Sequence, residues 1–339
     1  MKKLLKKNVI LTGFTVAGLM LSNVAMADLL VYNGQHKNAG VEKAAQLFTE
    51  KTGIKVELKT GKTPELAGLL KEEGAKSPAD IFIAESTGPF LSLSEAGLLA
   101  PVGDDALANV KGENVPQAPK KDFVPIGVRS RVLAYNPNKI AEKDLPKSWT
   151  EMVNDPKWKG NFSYHPGSGA LVDQIAIYKK LHGLDATKAF LKTMKENGQS
   201  ITGHTPALKK VDAGELGVAM INQYYLERLY KEKGQENVQA KIHYMRNADA
   251  DSALSFSAAA VLKASKQQKE AQQFLAFLTS KDGQEAYIST SGEWPTNAKA
   301  VSPVSYLVPL DSLNPPKTTF NNYAEIEEAK TLIKEAGIQ

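Results

Sequence analysis

Strand-like and helix-like segments alternate along almost the whole chain, and that alternation limits its fold more than any other feature. Short apolar runs at Leu29–Tyr32, Ile54–Leu58 and Ala79–Ala84 are each followed by helical periodicity. The first helix, from about Asn38 to Lys51, sets Val41, Ala44, Ala45 and Phe48 on one face. Gly53 supplies a left-handed end to it. The next is expected to start with Thr63 as N-cap and Pro64 in the first position. This order predicts an α/β fold. A chain of 339 residues exceeds what one core usually organises, so two lobes are expected. Two longer apolar runs, Val124–Tyr135 with Arg129 and Arg131 inside it and Leu254–Leu262, read as strands crossing between lobes. Asp249 and Asp251 read as a solvated turn.

The N-terminus carries Lys2, Lys3, Lys6 and Lys7, then an uncharged apolar stretch, then Ala25-Met26-Ala27. This is the pattern of a secretory signal peptide cleaved after Ala27. No cysteine follows it, so attachment through a lipidated cysteine is excluded. The formal charge of +5 is mostly the leader's: removing its four lysines leaves 38 basic against 37 acidic residues. Nothing in that balance calls for nucleic acid or an anionic membrane. The absence of cysteine also excludes disulfides, thiolate metal sites and thiol nucleophiles.

One stretch is chemically unusual. Gly217–Ile221 reads as a buried strand, and it runs into Asn222, Gln223 and the adjacent phenols Tyr224 and Tyr225. Ligands of open α/β sheets sit beyond the carboxyl ends of strands. Phenolates are hard anionic donors that suit a hard, highly charged cation such as ferric iron. Two other strands end near His36 and Glu85. Pro166-Gly167-Ser168-Gly169 precedes a helix, and a helix N-terminus of that kind attracts anions. Each piece also has an ordinary reading: a packed first helical turn for the tyrosines, a surface histidine, a capping carboxylate, a plain N-cap. Enzyme signatures are missing. Gly61-Lys62-Thr63 has the tail of a phosphate-binding loop, but Val56 replaces its first glycine. There is no G-x-S-x-G around Ser168 and no H-E-x-x-H.

Taken together, these segments resemble the bacterial periplasmic ferric-ion-binding proteins, the solute-binding subunits of ABC importers. The likeness runs through Val31–His36, Leu66-Ala67-Gly68, Ser77–Phe82 with Glu85, Leu93–Pro101, Arg129-Ser130-Arg131, Ser168-Gly169-Ala170, Asn222 with Tyr224-Tyr225, and Ala259–Ser265. The resemblance implies a two-lobe periplasmic-binding-protein fold with two crossover hinge strands. It implies that His36, Glu85, Tyr224 and Tyr225 hold Fe(III). A synergistic anion would rest on Ser168, Gly169 and Ala170 with Asn222 beside it. Phosphate is the first expectation, with carbonate and citrate open. Ser86 and His204 stand where relatives carry a glutamine and an asparagine near the anion, and they leave its identity in doubt. The implied lobes are 28–128 with 256–305, and 129–255, with 306–339 packing on the second. The implied life of the protein is that of a periplasmic monomer that delivers iron to an inner-membrane ABC permease. A rival on the same scaffold carries an organic phosphate or similar anion; a more distant one is a secreted non-haem iron enzyme.

Overall fold

A computed structural model describes residues 28–35, 39–110, 114–317 and 323–338. The expected signal peptide and His36 lie outside these residues. In chain order the elements are β1 (Leu29–Asn33), α1 (Gly40–Thr52), β2 (Val56–Thr60), α2 (Thr63–Glu73), β3 (Ile81–Ala84), α3 (Gly88–Glu95) and α4 (Asp104–Asn109). Then come β4 (Val124–Tyr135), α5 (Trp149–Asn154), β5 (Phe162–Tyr164), α6 (Gly169–His182), α7 (Leu184–Asn197), β6 (Gln199–Ser200) and α8 (His204–Asp212). The remainder is β7 (Val218–Asn222), α9 (Tyr224–Lys233), β8 (Lys241–His243), β9 (Leu254–Val261), α10 (Gln268–Thr279), α11 (Lys281–Ile288) and α12 (Tyr323–Glu335).

The strands run in the order β2-β1-β3-β9-β4-β7-β5-β6, with β8 also on β4. β1 pairs in parallel with β2 and β3, as β-α-β connections require. β9 then joins β3 antiparallel. The long strand β4 is shared. Its first half, Val124 to Ser130, pairs antiparallel with β9. Its second half, Arg131 to Tyr135, pairs antiparallel with β7. The two α/β lobes share β4, which changes partners between Ser130 and Arg131, and the chain crosses back at β9, leaving the second-lobe core at Ala253 and entering the first-lobe sheet at Leu254.

Period-two alternation assigns the faces of the second lobe. Leu133, Tyr135, Val218 and Met220 pack with Trp149 of α5, Ile175 of α6, Phe190 of α7 and Leu332 of α12. Val132, Ala134, Ala219 and Ile221 face the opposite core, with Leu208 of α8 and Leu229 of α9. Arg131 and Asn222 continue the first face one step further, and they sit opposite each other in register. The apolar pattern thus delivers two polar side chains to the edge of that core.

Two local expectations are corrected. Thr63 is the first helical residue of α2, and Lys62 is the N-cap. The Thr63 hydroxyl instead donates to the Gly34 carbonyl at 3.2 Å. Asp251 is buried, at 3% exposure, not solvated. It accepts from the Trp149 backbone N–H at 2.8 Å, a partner 102 residues away in sequence. Gly53 ends α1 with φ +76°, as expected for a left-handed cap.

Candidate functional site

Five element ends converge on one cleft of about 550 Å³ between the lobes. The end of β3 brings Glu85 and Ser86, and the start of α6 brings Ser168, Gly169 and Ala170. The start of α8 brings His204, the end of β7 brings Asn222, and the start of α9 brings Tyr224 and Tyr225. Nine of the ten residues singled out from sequence therefore line one cleft. His36, the tenth, lies outside the described residues.

The tyrosines do form the first turn of α9, so the ordinary reading of their position is correct as far as it goes. They are more than packing, because both also line the cleft. Their ring centroids are 4.7 Å apart with planes tilted by 31°. The Arg228 guanidinium lies 4.8 Å from the centroid of each ring. Asn222 donates from Nδ2 to the Tyr224 phenol oxygen at 3.1 Å. Burial, and after it the neighbouring Tyr224, push the Tyr225 phenol above its ordinary value, while Arg228 pulls the other way. Free of metal, Tyr225 is a neutral phenol at pH 7. A cation must displace its proton to bind.

The anion side is built around Arg131, which is 2% exposed. Its NH1 donates to Asn222 Oδ1 at 3.0 Å and contacts His204 Nε2 at 3.3 Å. Arginine has only donors, so His204 Nε2 accepts and the ring proton sits on Nδ1. Burial first, then the Arg131 and His165 charges, hold His204 well below its ordinary value, so it is neutral. Burial draws Arg131 down to about 10, opposed by Tyr224 and Tyr225, which leaves it cationic at pH 7. Ser168 is the N-cap residue of α6 but accepts no cap hydrogen bond from the helix. Its Oγ lies 3.3 Å from His204 Nε2 instead. The N-terminus of a 14-residue helix is thus left without its own side-chain cap, at the cleft. A Cβ built on Gly169 would meet nothing within 4 Å, so the space in front of it is open.

Among the described residues, no three His, Cys, Asp or Glu side chains converge on a metal-sized point. The donor set that can take a metal is phenolic, with the Glu85 carboxylate also in the cleft. Phenolates and carboxylates are hard anionic donors that favour a hard trivalent cation over zinc or copper(I).

Sequence reasoning left several participants without a role. Arg129 and Arg131 are visible as charges in an apolar strand, and that placement is itself a signal. Gln35, Arg228 and Glu293 carry no sequence signal, because their partners are remote.

Comparison with known proteins bears on the whole chain and its fold. The family described as bacterial extracellular solute-binding protein matches residues 43–307. The major ferric iron-binding protein of Neisseria meningitidis is 41% identical over 323 residues, covering 95% of this chain and 97% of that protein. Iron-bound HitA from Pseudomonas aeruginosa superposes with a TM-score of 0.84 at 41% identity, over 92% of this chain and all of that one (100%). The Trichodesmium protein IdiA (FutA), solved with iron and citrate ligands, superposes with a TM-score of 0.82 at 26% identity, over 92% of this chain and 100% of that one. On sequence and fold together, this chain belongs to the bacterial extracellular solute-binding protein family, in its ferric-iron-binding group.

Proposed function

We propose that this chain is a periplasmic carrier that captures Fe(III) together with a small anion and delivers it to an ABC permease. The observation that carries this is the tyrosine pair at the cleft, with an amide donor on one phenol and an uncapped helix N-terminus nearby. Glu85, Tyr224 and Tyr225, with His36, are the iron ligands in this reading. One carboxylate and two phenolates balance three positive charges. The anion fills the remaining coordination positions and rests on Ser168, Gly169 and Ala170. Asn222 has a double role, since its amide already bridges Arg131 and the Tyr224 oxygen. Phosphate is the first choice of anion.

The lobes in this reading are 28–128 with 256–305, and 129–255 with 306–339, their first boundary moved by two residues to where β4 changes sheets between Ser130 and Arg131. A metal ligated from both lobes favours their closed arrangement through its differential affinity for it. The carrier works as a monomer exported by its cleaved leader, and it turns over no substrate.

A visible-absorption titration of metal-stripped mature protein with ferric citrate, with and without phosphate, tests this. A tyrosinate-to-iron charge-transfer band saturating at one equivalent is expected, and phosphate should alter it. Absence of both the band and retained iron would defeat the ferric reading in favour of an organic-anion carrier.

A further inference from the structure

Arg129 sits on β4 just before the strand changes sheets, and it is 5% exposed. A guanidinium that deep must have its donors satisfied internally. Its Nε pairs with the carboxylate of Glu293, and the two side chains are only 6% and 3% exposed. NH1 donates to the backbone carbonyl of Glu85 at 2.6 Å. NH2 donates to Gln35 Oε1 at 3.1 Å. One fork therefore ties down the chain after β1, the chain after β3 and the chain after α11.

One of these segments carries Glu85, an iron ligand of the proposed function. Glu85 is held by its own carbonyl, and Gln35 directly precedes His36 in sequence. Gln35 is fixed in turn, donating from Nε2 to the Tyr287 phenol at 2.8 Å. The same centre also reaches the second lobe. The Arg129 guanidinium lies 5.4 Å from the centroid of the Tyr224 ring. Gln223, immediately before the tyrosine pair, donates to the Gly292 carbonyl at 3.0 Å and accepts from the Ser130 N–H at 3.0 Å.

Stability alone is a poor account of this ion pair. Two buried charges lose their hydration, and apolar residues of similar volume are often as stable or more so. The fold nevertheless makes room for it. A Cβ on Gly127 would lie 2.3 Å from Glu293 Oε2 and 2.6 Å from Ser257 Oγ, so only glycine leaves the space.

We propose that the Arg129–Glu293 ion pair is the positioning centre of the metal site, fixing the Glu85 backbone and the Gln35 side chain relative to the Tyr224 ring. Neither residue touches the metal; both act through the backbone and rings they hold. Outer contacts of this kind orient the groups that do the binding. The inference rests on the ferric reading above.

The test uses the full mature protein. Arg129→Met/Glu293→Met removes both charges together, so no unpaired buried ion remains. Arg129→Lys keeps the charge but cannot serve three acceptors in a fixed fork. Ferric affinity is read by competition with citrate, and ligand geometry by the charge-transfer maximum. Thermal unfolding of the metal-free protein is read alongside. The double variant is expected to unfold cooperatively, somewhat below wild type because the Glu85 carbonyl and Gln35 Oε1 lose their donor, yet to lose about 10–100-fold in ferric affinity with a displaced band. Arg129→Lys should lose affinity to a similar degree. Wild-type affinity and an unshifted band in a folded double variant would overturn the inference. If the double variant does not fold, Arg129→Lys decides in the same way. A wild-type protein with no charge-transfer band would overturn the ferric reading and this inference with it, whereas a wild-type band kept unchanged in the variants overturns this inference alone.

Discussion

Tyr225 is half-buried, and its phenol is raised first by that burial and then by Tyr224. Iron must displace the proton, so acid competes with metal. Ferric affinity should fall about tenfold per pH unit for each phenol proton displaced. Citrate competition between pH 5.5 and 8 measures the slope, and a flat profile would rule out phenolate ligation. The two tyrosines should differ when mutated. Either change to phenylalanine should remove most ferric binding and the visible band. In metal-free protein, however, Tyr224→Phe strands the Asn222 Nδ2 donor, which is 4% exposed. That should cost about 1 kcal/mol or more in urea unfolding. Such a penalty, absent from Tyr225→Phe, would support the Asn222–Tyr224 contact; equal stabilities would argue against it.

At the scale of elements, α6 begins without a side-chain cap because the Ser168 hydroxyl faces His204. An ordinary N-cap serine changed to alanine costs about 1 kcal/mol. Ser168→Ala should show little of that penalty, and instead weaken the phosphate dependence of the iron titration several-fold. A full capping loss with unchanged phosphate response would contradict the assignment. The start of α5 depends on Asp251, whose carboxylate accepts from Trp149 N–H. Burial, against the Trp149 and Asn247 hydrogen bonds, pushes this carboxyl up to about 6. The folded state then holds a proton that the unfolded chain, with a pKa near 4, has released. This group's contribution to stability is therefore lost as pH rises from about 4 to 6. Asp251→Asn should shrink the stability difference between pH 4 and pH 7 by on the order of 2 kcal/mol. Equal pH dependence in mutant and wild type, by urea unfolding at both pH values, would exclude it.

For the molecule as a whole, the cleft lies where β4 passes from one sheet to the other, so a ligand held from both sides bridges the two lobes. Binding to the folded state raises apparent stability by mass action, about 4 kcal/mol at a thousandfold excess over Kd. Iron with phosphate should raise the thermal midpoint well above the metal-free value, and phosphate alone should raise it far less. Calorimetry gives both numbers. Identical midpoints in all three conditions would mean that the cleft is not an iron site.

The alternation of elements, the two long strands and the strand-end clustering of polar residues were legible in the chain because they are local. A helical face or a period-two strand is written within a dozen residues. β4 matches its expected span from Val124 to Tyr135, and α1 buries the expected face. The short α4, β6 and β8 were missed, since two to six residues hold too little periodicity to read. Resemblance to a family identified the candidate ligands; spacing alone favoured a plain helical turn. What only the folded chain decided is which distant groups meet. Asp251 is buried because α5, 102 residues earlier in the chain, uses its carboxylate. Arg129 finds Gln35, Glu85 and Glu293 across separations of 94, 44 and 164 residues. Local propensity carries no trace of such pairings, because they form only when the first-lobe sheet, the shared strand β4 and the segment after α11 pack around one buried charge.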